Sequence, residues 1–233
     1  MSSLSAQLTL GLSLKDDATF DNFYPAQNTT IITALKKAAS GQGEKMIYLY
    51  GMRGQGHSHL LQACCHAAHQ QQHRSVYLPL ANLLLLSPDI CQGLESLSLV
   101  CLDDIDAIAG NAVWEEAIFH LYNRVYDAGG ILIIAGHHDH QTIPLILPDL
   151  RSRLAWGVGY RLQPLADEEK LAALIMRAKR RGMGLSKEVG KYILTHCPRH
   201  MRTLFAALDI LDKASLAAQR RLTIPFVKEV LQV

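Results

Sequence analysis

The sequence predicts an α/β fold: a parallel sheet flanked by helices, followed by a small all-α domain. Three observations carry this. Short apolar segments without alternation recur between helical stretches, which suits strands buried on both faces in βαβ units. A Gly-rich turn joins one such segment directly to a helix. After Pro164 no strand candidate appears and only 3.6-residue periodicity remains.

In order, residues 1–17 read as a flexible leader, Ser-rich and then Gln7-Leu8-Thr9-Leu10-Gly11-Leu12. Residues 18–163 form the α/β core. Its first helix is capped by Thr29 or Thr30 and carries Ile31, Ile32, Leu35, Ala38 and Ala39 on one face. Met46–Tyr50 is a β-rich apolar strand, the Gly-rich turn follows, and a helix runs from about Ser58 to His73. Strands follow near Val76–Leu78 and at Leu97–Leu102, the latter ending in Asp103-Asp104. A helix at about Val113–Asp127, a turn at Gly129-Gly130, and strands at Ile131–Ile134 and Val158–Leu162 continue the alternation. Residues 164–233 form the helical domain, with helices from Asp167 to Gly182, Ser186 to His196, Met201 to Ala218 and Pro225 to Leu231.

A chain of 233 residues, 49% hydrophobic, can bury a sizeable core. The formal charge of +2 argues against a general nucleic-acid or anionic-membrane binder. Five cysteines, an odd number without C-x-x-C spacing, read as reduced and mostly buried. No signal peptide is recognisable, and the longest apolar run, around Leu78–Leu86, is too short to span a bilayer. A soluble cytoplasmic protein is expected.

Gly51-Met52-Arg53-Gly54-Gln55-Gly56-His57-Ser58 fits the phosphate-binding loop G-x-x-x-x-G-K-[ST] except at the lysine. Glycines let backbone amides curl around α and β phosphates, the helix N-terminus adds positive potential, and the Ser58 hydroxyl reaches Mg²⁺. Without the lysine such a pattern arises by chance in about one chain in eight. Its position between a buried strand and a helix is what gives it weight. His57 replaces a permanent point charge with a shorter side chain that is mostly neutral, its reference pKa being about 6.5. A diphosphate can still be held by the backbone cradle, while a γ-phosphate is less well neutralised. A tolerated replacement with hydrolysis retained is the other reading.

Leu99–Leu102 leads into Asp103 and Asp104. At the end of a strand beside a phosphate loop, one carboxylate orients Mg²⁺ through water and its neighbour polarises the attacking water. The bland alternative is a pair of acids offsetting a helix dipole, with Asp106 in the same cluster.

Four segments together resemble a known family. They are Phe20-Asp21-Asn22-Phe23-Tyr24, the loop with Ser58-His59-Leu60-Leu61, the strand ending Asp103–Gly110, and Leu150-Arg151-Ser152-Arg153-Leu154-Ala155-Trp156-Gly157. All are similar to the AAA+ core of the DnaA initiators. The leader, Leu121-Tyr122-Asn123-Arg124 and Arg221–Val230 are closer to the Hda family of DnaA-related regulators, and the resemblance spans essentially the whole chain. Nothing after Val233 corresponds to the initiators' DNA-binding domain.

The resemblance implies a P-loop AAA+ core with degenerate Walker A, followed by a helical lid. It implies nucleotide contacts from Phe23, Tyr24, Gly51, Arg53, Gly54, Gln55, Gly56, His57, Ser58, His59, Asp103, Asp104 and Arg202. Ser58 and Asp103 would face Mg²⁺, and ADP or another nucleoside diphosphate would be the ligand. Arg153 is similar to the arginine finger that enters a neighbour's ATP site, where such a guanidinium is worth about 10³ to 10⁵ in rate; Arg151 is its near rival. Arg202 is similar to the lid arginine that reaches the phosphates, with Arg199 as rival, and His137 stands where the family often keeps a polar sensor. Gln7, Leu8, Leu10 and Leu12 resemble the short peptide that docks on the DNA sliding clamp.

His137-His138-Asp139-His140 matches no standard zinc spacing and reads as a polar loop. His66, His69 and His73 read as a solvated helix face. The implied function is a regulator that, with the DNA-loaded clamp, promotes hydrolysis of DnaA-bound ATP and prevents re-initiation. Its partners would be DnaA and the clamp, DNA only indirectly, no membrane, and further copies of itself in a homo-oligomer near the nucleoid. A self-sufficient AAA+ ATPase such as a helicase loader is the alternative, favoured by Ser58, Asp103 and Asp104 and opposed by His57, His137 and the leader. A sequence-specific DNA-binding module has little support.

Overall fold

The computed structural model describes residues 14–233. The proposed clamp-binding residues Gln7, Leu8, Leu10 and Leu12 lie outside the described residues.

Five parallel strands form one sheet: β1 (Met46–Tyr50), β2 (Ser75–Pro79), β3 (Leu99–Asp103), β4 (Ile131–Gly136) and β5 (Val158–Arg161), in the order β2-β3-β4-β1-β5. Register pairs Tyr50 with Gly136 and Pro79 with Asp103, so the loop after β1 and the acids after β3 open at one edge. β3 and β4 are buried along their whole length, which explains their uninterrupted apolar sequences.

Side-chain alternation divides the core into two layers. Ile47, Leu49, Cys101 and Ile133 pack under helices α1 (Thr29–Ala39) and α2 (His57–Gln70) with Leu35, Leu60, Leu61 and Cys64. Tyr48, Val100, Leu102 and Leu132 pack on the other face, beneath α3 (Leu80–Leu83), α4 (Ala112–Asp127) and α5 (Pro148–Trp156). Burying one such leucine stabilises the fold by about 1.5–3 kcal/mol. Cys64, Cys65, Cys91 and Cys101 are buried free thiols, and Cys197 is half-buried.

Two details depart from the sequence-based expectations. α1 starts at Thr29, so its cap position is Asn28 and not a threonine. The Asn28 side chain makes no cap bond because it is engaged elsewhere. It donates to the Gln163 carbonyl (3.1 Å) and accepts from the Gln163 amide (2.8 Å). The short helix α5, which periodicity did not mark, fills the segment between β4 and β5.

The helical domain contains α6 (Asp167–Arg180), α7 (Lys187–His196), α8 (Met201–Ala218) and α9 (Ile224–Leu231). Ser186 caps α7 through the Val189 amide, Thr223 caps α9 through that of Phe226, and Pro225 sits in the first turn of α9. These helices enclose their own core of Leu174, Ile193, Leu204, Leu208, Leu211 and Val227. The segment from Leu14 to Asn28 ties this domain to the first: Asp17 accepts from Arg177 (2.6 Å) and Arg180 donates to Asn22 (3.1 Å). On the core side, the Lys15 amide donates to Gln62 and His59 bonds the Thr19 carbonyl. His66 bonds the Lys15 carbonyl, so it is a contact residue and not part of a fully solvated face. Among the described residues, no helix is long and apolar enough to cross a membrane.

Candidate nucleotide-binding site

The loop between β1 and α2 is built on glycines in backbone conformations that other residues rarely adopt. Gly51, Gly54 and Gly56 have φ of +151°, +84° and +102°, a region that side chains disfavour. A Cβ on Gly56 would lie 2.6 Å from the Phe23 ring, and one on Gly51 would strike the Gln55 side chain and come within 3.1 Å of the Leu162 carbonyl. Helix α2 opens at His57 immediately afterwards, so its unpaired N-terminal amides face the loop. Gln55 Oε1 is buried beside the loop and has no protein partner.

His57 turns inward and is only 4% exposed. Desolvation, reinforced by His137, lowers its pKa to about 4, so at neutral pH the ring is uncharged. It bonds the Tyr50 backbone, while its Nε2 is buried without a partner. The His137 ring lies 5.6 Å away, edge-on. His137 Nε2 in turn bonds Asp104 Oδ1 at 3.0 Å, and its backbone amide donates to Asp106 at 2.6 Å. The position that carries a cationic lysine in the full motif is thus a neutral ring, and the second acid of the strand end is already bonded.

Asp103 and Asp104, adjacent in sequence, have different surroundings. Asp103 is 1% exposed; its Oδ2 accepts from the Tyr77 hydroxyl (2.7 Å) and its Oδ1 from the Asp104 amide (3.0 Å). Asp104 adopts a left-handed conformation (φ +55°) that swings its carboxylate towards His137. It precedes the turn Ile105–Ile108 and makes no side-chain cap bond there. Ser58, in the first turn of α2, and Gln62 flank the Tyr77 hydroxyl.

Among the described residues, no cluster of three or more His, Cys, Asp or Glu could hold a metal by itself. The donor set nevertheless suits Mg²⁺, which takes one or two carboxylates and completes its shell with phosphate oxygens and water. Ser58 and Asp103 are the residues that would face it. His138 pairs with Asp106 and His140 with Asp139, in keeping with a polar loop.

The family model described as the Hda lid domain matches residues 167–231. Domain III of DnaA from Thermotoga maritima is similar in structure over 94% of this chain and 98% of that one, with TM-score 0.82 and 20% identity. DnaA from Aquifex aeolicus matches over 89% of this chain and 69% of that one, with TM-score 0.73 and 22% identity. The RuvB branch-migration motor of Thermotoga maritima gives TM-score 0.70 at 16% identity, over 92% and 71% of the two chains. Residues 167–231 thus match the Hda lid domain, and the chain as a whole has the fold of DnaA domain III.

The remaining sequence-derived residues fall into two groups. Phe23 and His59 stand with the loop, their rings 5.7 Å apart, and Arg53 is exposed at its tip. Tyr24 is half-buried next to Phe23. Arg202, in the first turn of α8, is exposed and has no ion pair among the described residues, whereas Arg199 is tied to Asp167 at 2.7 Å. Arg153 lies apart on α5: its guanidinium stacks 4.5 Å from the Trp156 ring and 5.9 Å from Phe119, with Nε buried and unpartnered. Arg151 on the same helix is exposed. Tyr77 had no place in the sequence-derived site, because a tyrosine in an apolar strand carries no local signal of its distant partner.

Proposed function

We propose that this chain is a nucleotide-held regulator of replication initiation. It keeps ADP between core and lid and, with the DNA-loaded sliding clamp, stimulates hydrolysis of ATP on DnaA. One observation carries the reading: buried, uncharged His57 stands at the lysine position and His137 occupies Asp104. The glycine cradle retains its amides for α and β phosphates, but no lysine neutralises a γ-phosphate, and the acid that would polarise water is already bonded. Retention is favoured over turnover.

The Aquifex aeolicus DnaA structure was solved with AMPPCP, which supports a nucleotide at the corresponding loop here. Bound Mg²⁺ would supply charge neutralisation at the phosphates. Phe23, Tyr24 and His59 then border the base side, Arg53 and Gln55 the loop, and Arg202 reaches in from the lid. Arg153 acts in trans as the catalytic residue on the partner's ATP. Leaving its stack on Trp156 sacrifices a cation–π contact of about 0.5–2 kcal/mol, small beside the gain expected of an arginine finger. Gln7, Leu8, Leu10 and Leu12 engage the clamp, DNA is met only through that complex, and the protein works in the cytoplasm at the nucleoid as a homo-oligomer.

Arg153→Ala and Arg151→Ala test this in a clamp-dependent DnaA hydrolysis assay. Arg153→Ala should abolish stimulation while ADP affinity stays within twofold, and Arg151→Ala should leave both intact. Loss of stimulation only in Arg151→Ala would transfer the role to Arg151. The second reading, a self-sufficient ATPase, is favoured by the convergence of Ser58, Asp103 and Asp104 on one edge. It predicts sustained ATP turnover by the pure protein.

A further inference from the structure

We propose that Tyr77 is a positioning residue that orients Asp103 as the divalent-cation ligand, a role that rests on the nucleotide-binding reading. Asp103 is buried, and no Lys, Arg or His pairs with it among the described residues, whereas Asp104 and Asp106 have His137 and His138. A buried carboxylate without a cation is costly unless hydrogen bonds hold it and a metal ion completes its neutralisation. The hydrogen bonds are present: the Tyr77 hydroxyl donates to Oδ2 at 2.7 Å and the Asp104 amide to Oδ1 at 3.0 Å. With one donor on each oxygen the carboxylate cannot rotate, and each oxygen keeps a lone pair for a metal or its water.

Tyr77 reaches this point from the neighbouring strand. In the β2–β3 ladder it lies opposite Cys101, two residues before Asp103, so its phenol spans to the strand end. Ser58 and Gln62 of α2 flank the same hydroxyl. The two elements that would face a cation at the phosphate loop, α2 through Ser58 and β3 through Asp103, therefore meet at this phenolic oxygen of β2. Ligating carboxylates are commonly fixed by such outer partners, whose removal weakens metal binding by about 10- to 100-fold.

The test is ADP affinity by calorimetry, with Mg²⁺ and with EDTA, for the full-length wild type, Tyr77→Phe and Asp103→Asn. The wild type should bind ADP more tightly with Mg²⁺. Tyr77→Phe should lose about tenfold of that gain and keep its metal-free affinity within twofold, and Asp103→Asn should lose the gain entirely. An undiminished Mg²⁺ effect in Tyr77→Phe, or an equal loss with and without Mg²⁺, overturns the assignment. Wild type that binds no ADP under either condition overturns the nucleotide reading as well, which separates the two failures. If Tyr77→Phe does not fold, the ¹³Cζ resonance of Tyr77 in the wild-type ADP complex decides. It should shift on adding Mg²⁺, and an unmoved resonance overturns the role.

Discussion

Polar side chains of the α/β core such as Glu115, His57 and Asp103 are buried, whereas those joining the lid to it lie nearer the surface. Glu115 is 0% exposed and accepts from the amides of Gly110, Ile146 and Leu147 at 2.8, 3.2 and 2.7 Å. It thereby pins the loop that leads into α5 to the first turn of α4. His57 and Asp103 are similarly enclosed. The lid is joined instead by Asp17 with Arg177 and Arg181, and by Asn22 with Arg180, all at least partly exposed. The loop, the acids and His137 therefore keep one geometry, while the helical domain that carries Arg202 is attached by contacts of low individual strength. A core that stays fixed while its cover adjusts is the arrangement expected of a protein that retains a ligand.

Four substitutions probe this difference between core and lid. Glu115→Ala leaves three backbone donors without a partner and should cost about 3–5 kcal/mol in urea denaturation. A loss under 1 kcal/mol would mean that the core network is no stronger than the surface links.

His57 gives the next largest effect, through pH. Its folded pKa of about 4 lies below the ordinary value of 6.5, so the unfolded chain binds more protons between those values. The stability it contributes is complete above pH 6.5 and is lost as pH falls to 4. The magnitude is about 3 kcal/mol. His57→Gln should flatten that part of the stability profile, and an unchanged slope would show that the ring is not buried uncharged.

Asn28→Ala probes the boundary between the two regions. Loss of its paired bonds to Gln163 should cost about 1–3 kcal/mol, read as a lowered melting temperature. Asp17→Asn should cost less than about 1 kcal/mol, yet speed ADP release by loosening the lid, as followed in a fluorescent-nucleotide chase. A stability loss as large as that of Glu115→Ala would erase the distinction between core and lid.

Legibility in the sequence followed how local each constraint is. Strands β1, β3 and β4 showed as apolar runs because burial on both faces removes alternation, and the lid helices showed through their periodicity and through Pro225. The Gly51–Ser58 loop was legible because positive φ is a demand on single residues. Helix α5 was not, since only Leu150 and Leu154 of its nine residues are buried, too few to establish a period. Tyr77 and Asn28 escaped for another reason: their partners lie 26 and 135 residues away, and nothing nearby in sequence marks either bond. The pairing of His137 with Asp104 depends on β3 and β4 being neighbours, so His137 could be flagged as an unusual sensor but not linked to the acid.

In the proposed function the loop retains a diphosphate without turning over a triphosphate. This is tested most directly by purifying the full chain, identifying the nucleotide that accompanies it, and following [γ-³²P]ATP hydrolysis under single-turnover conditions. ADP in the purified protein and essentially no phosphate release over hours are expected. Rapid release that depends on Asp104 and survives in Arg153→Ala would contradict this reading and make this chain an ATPase in its own right.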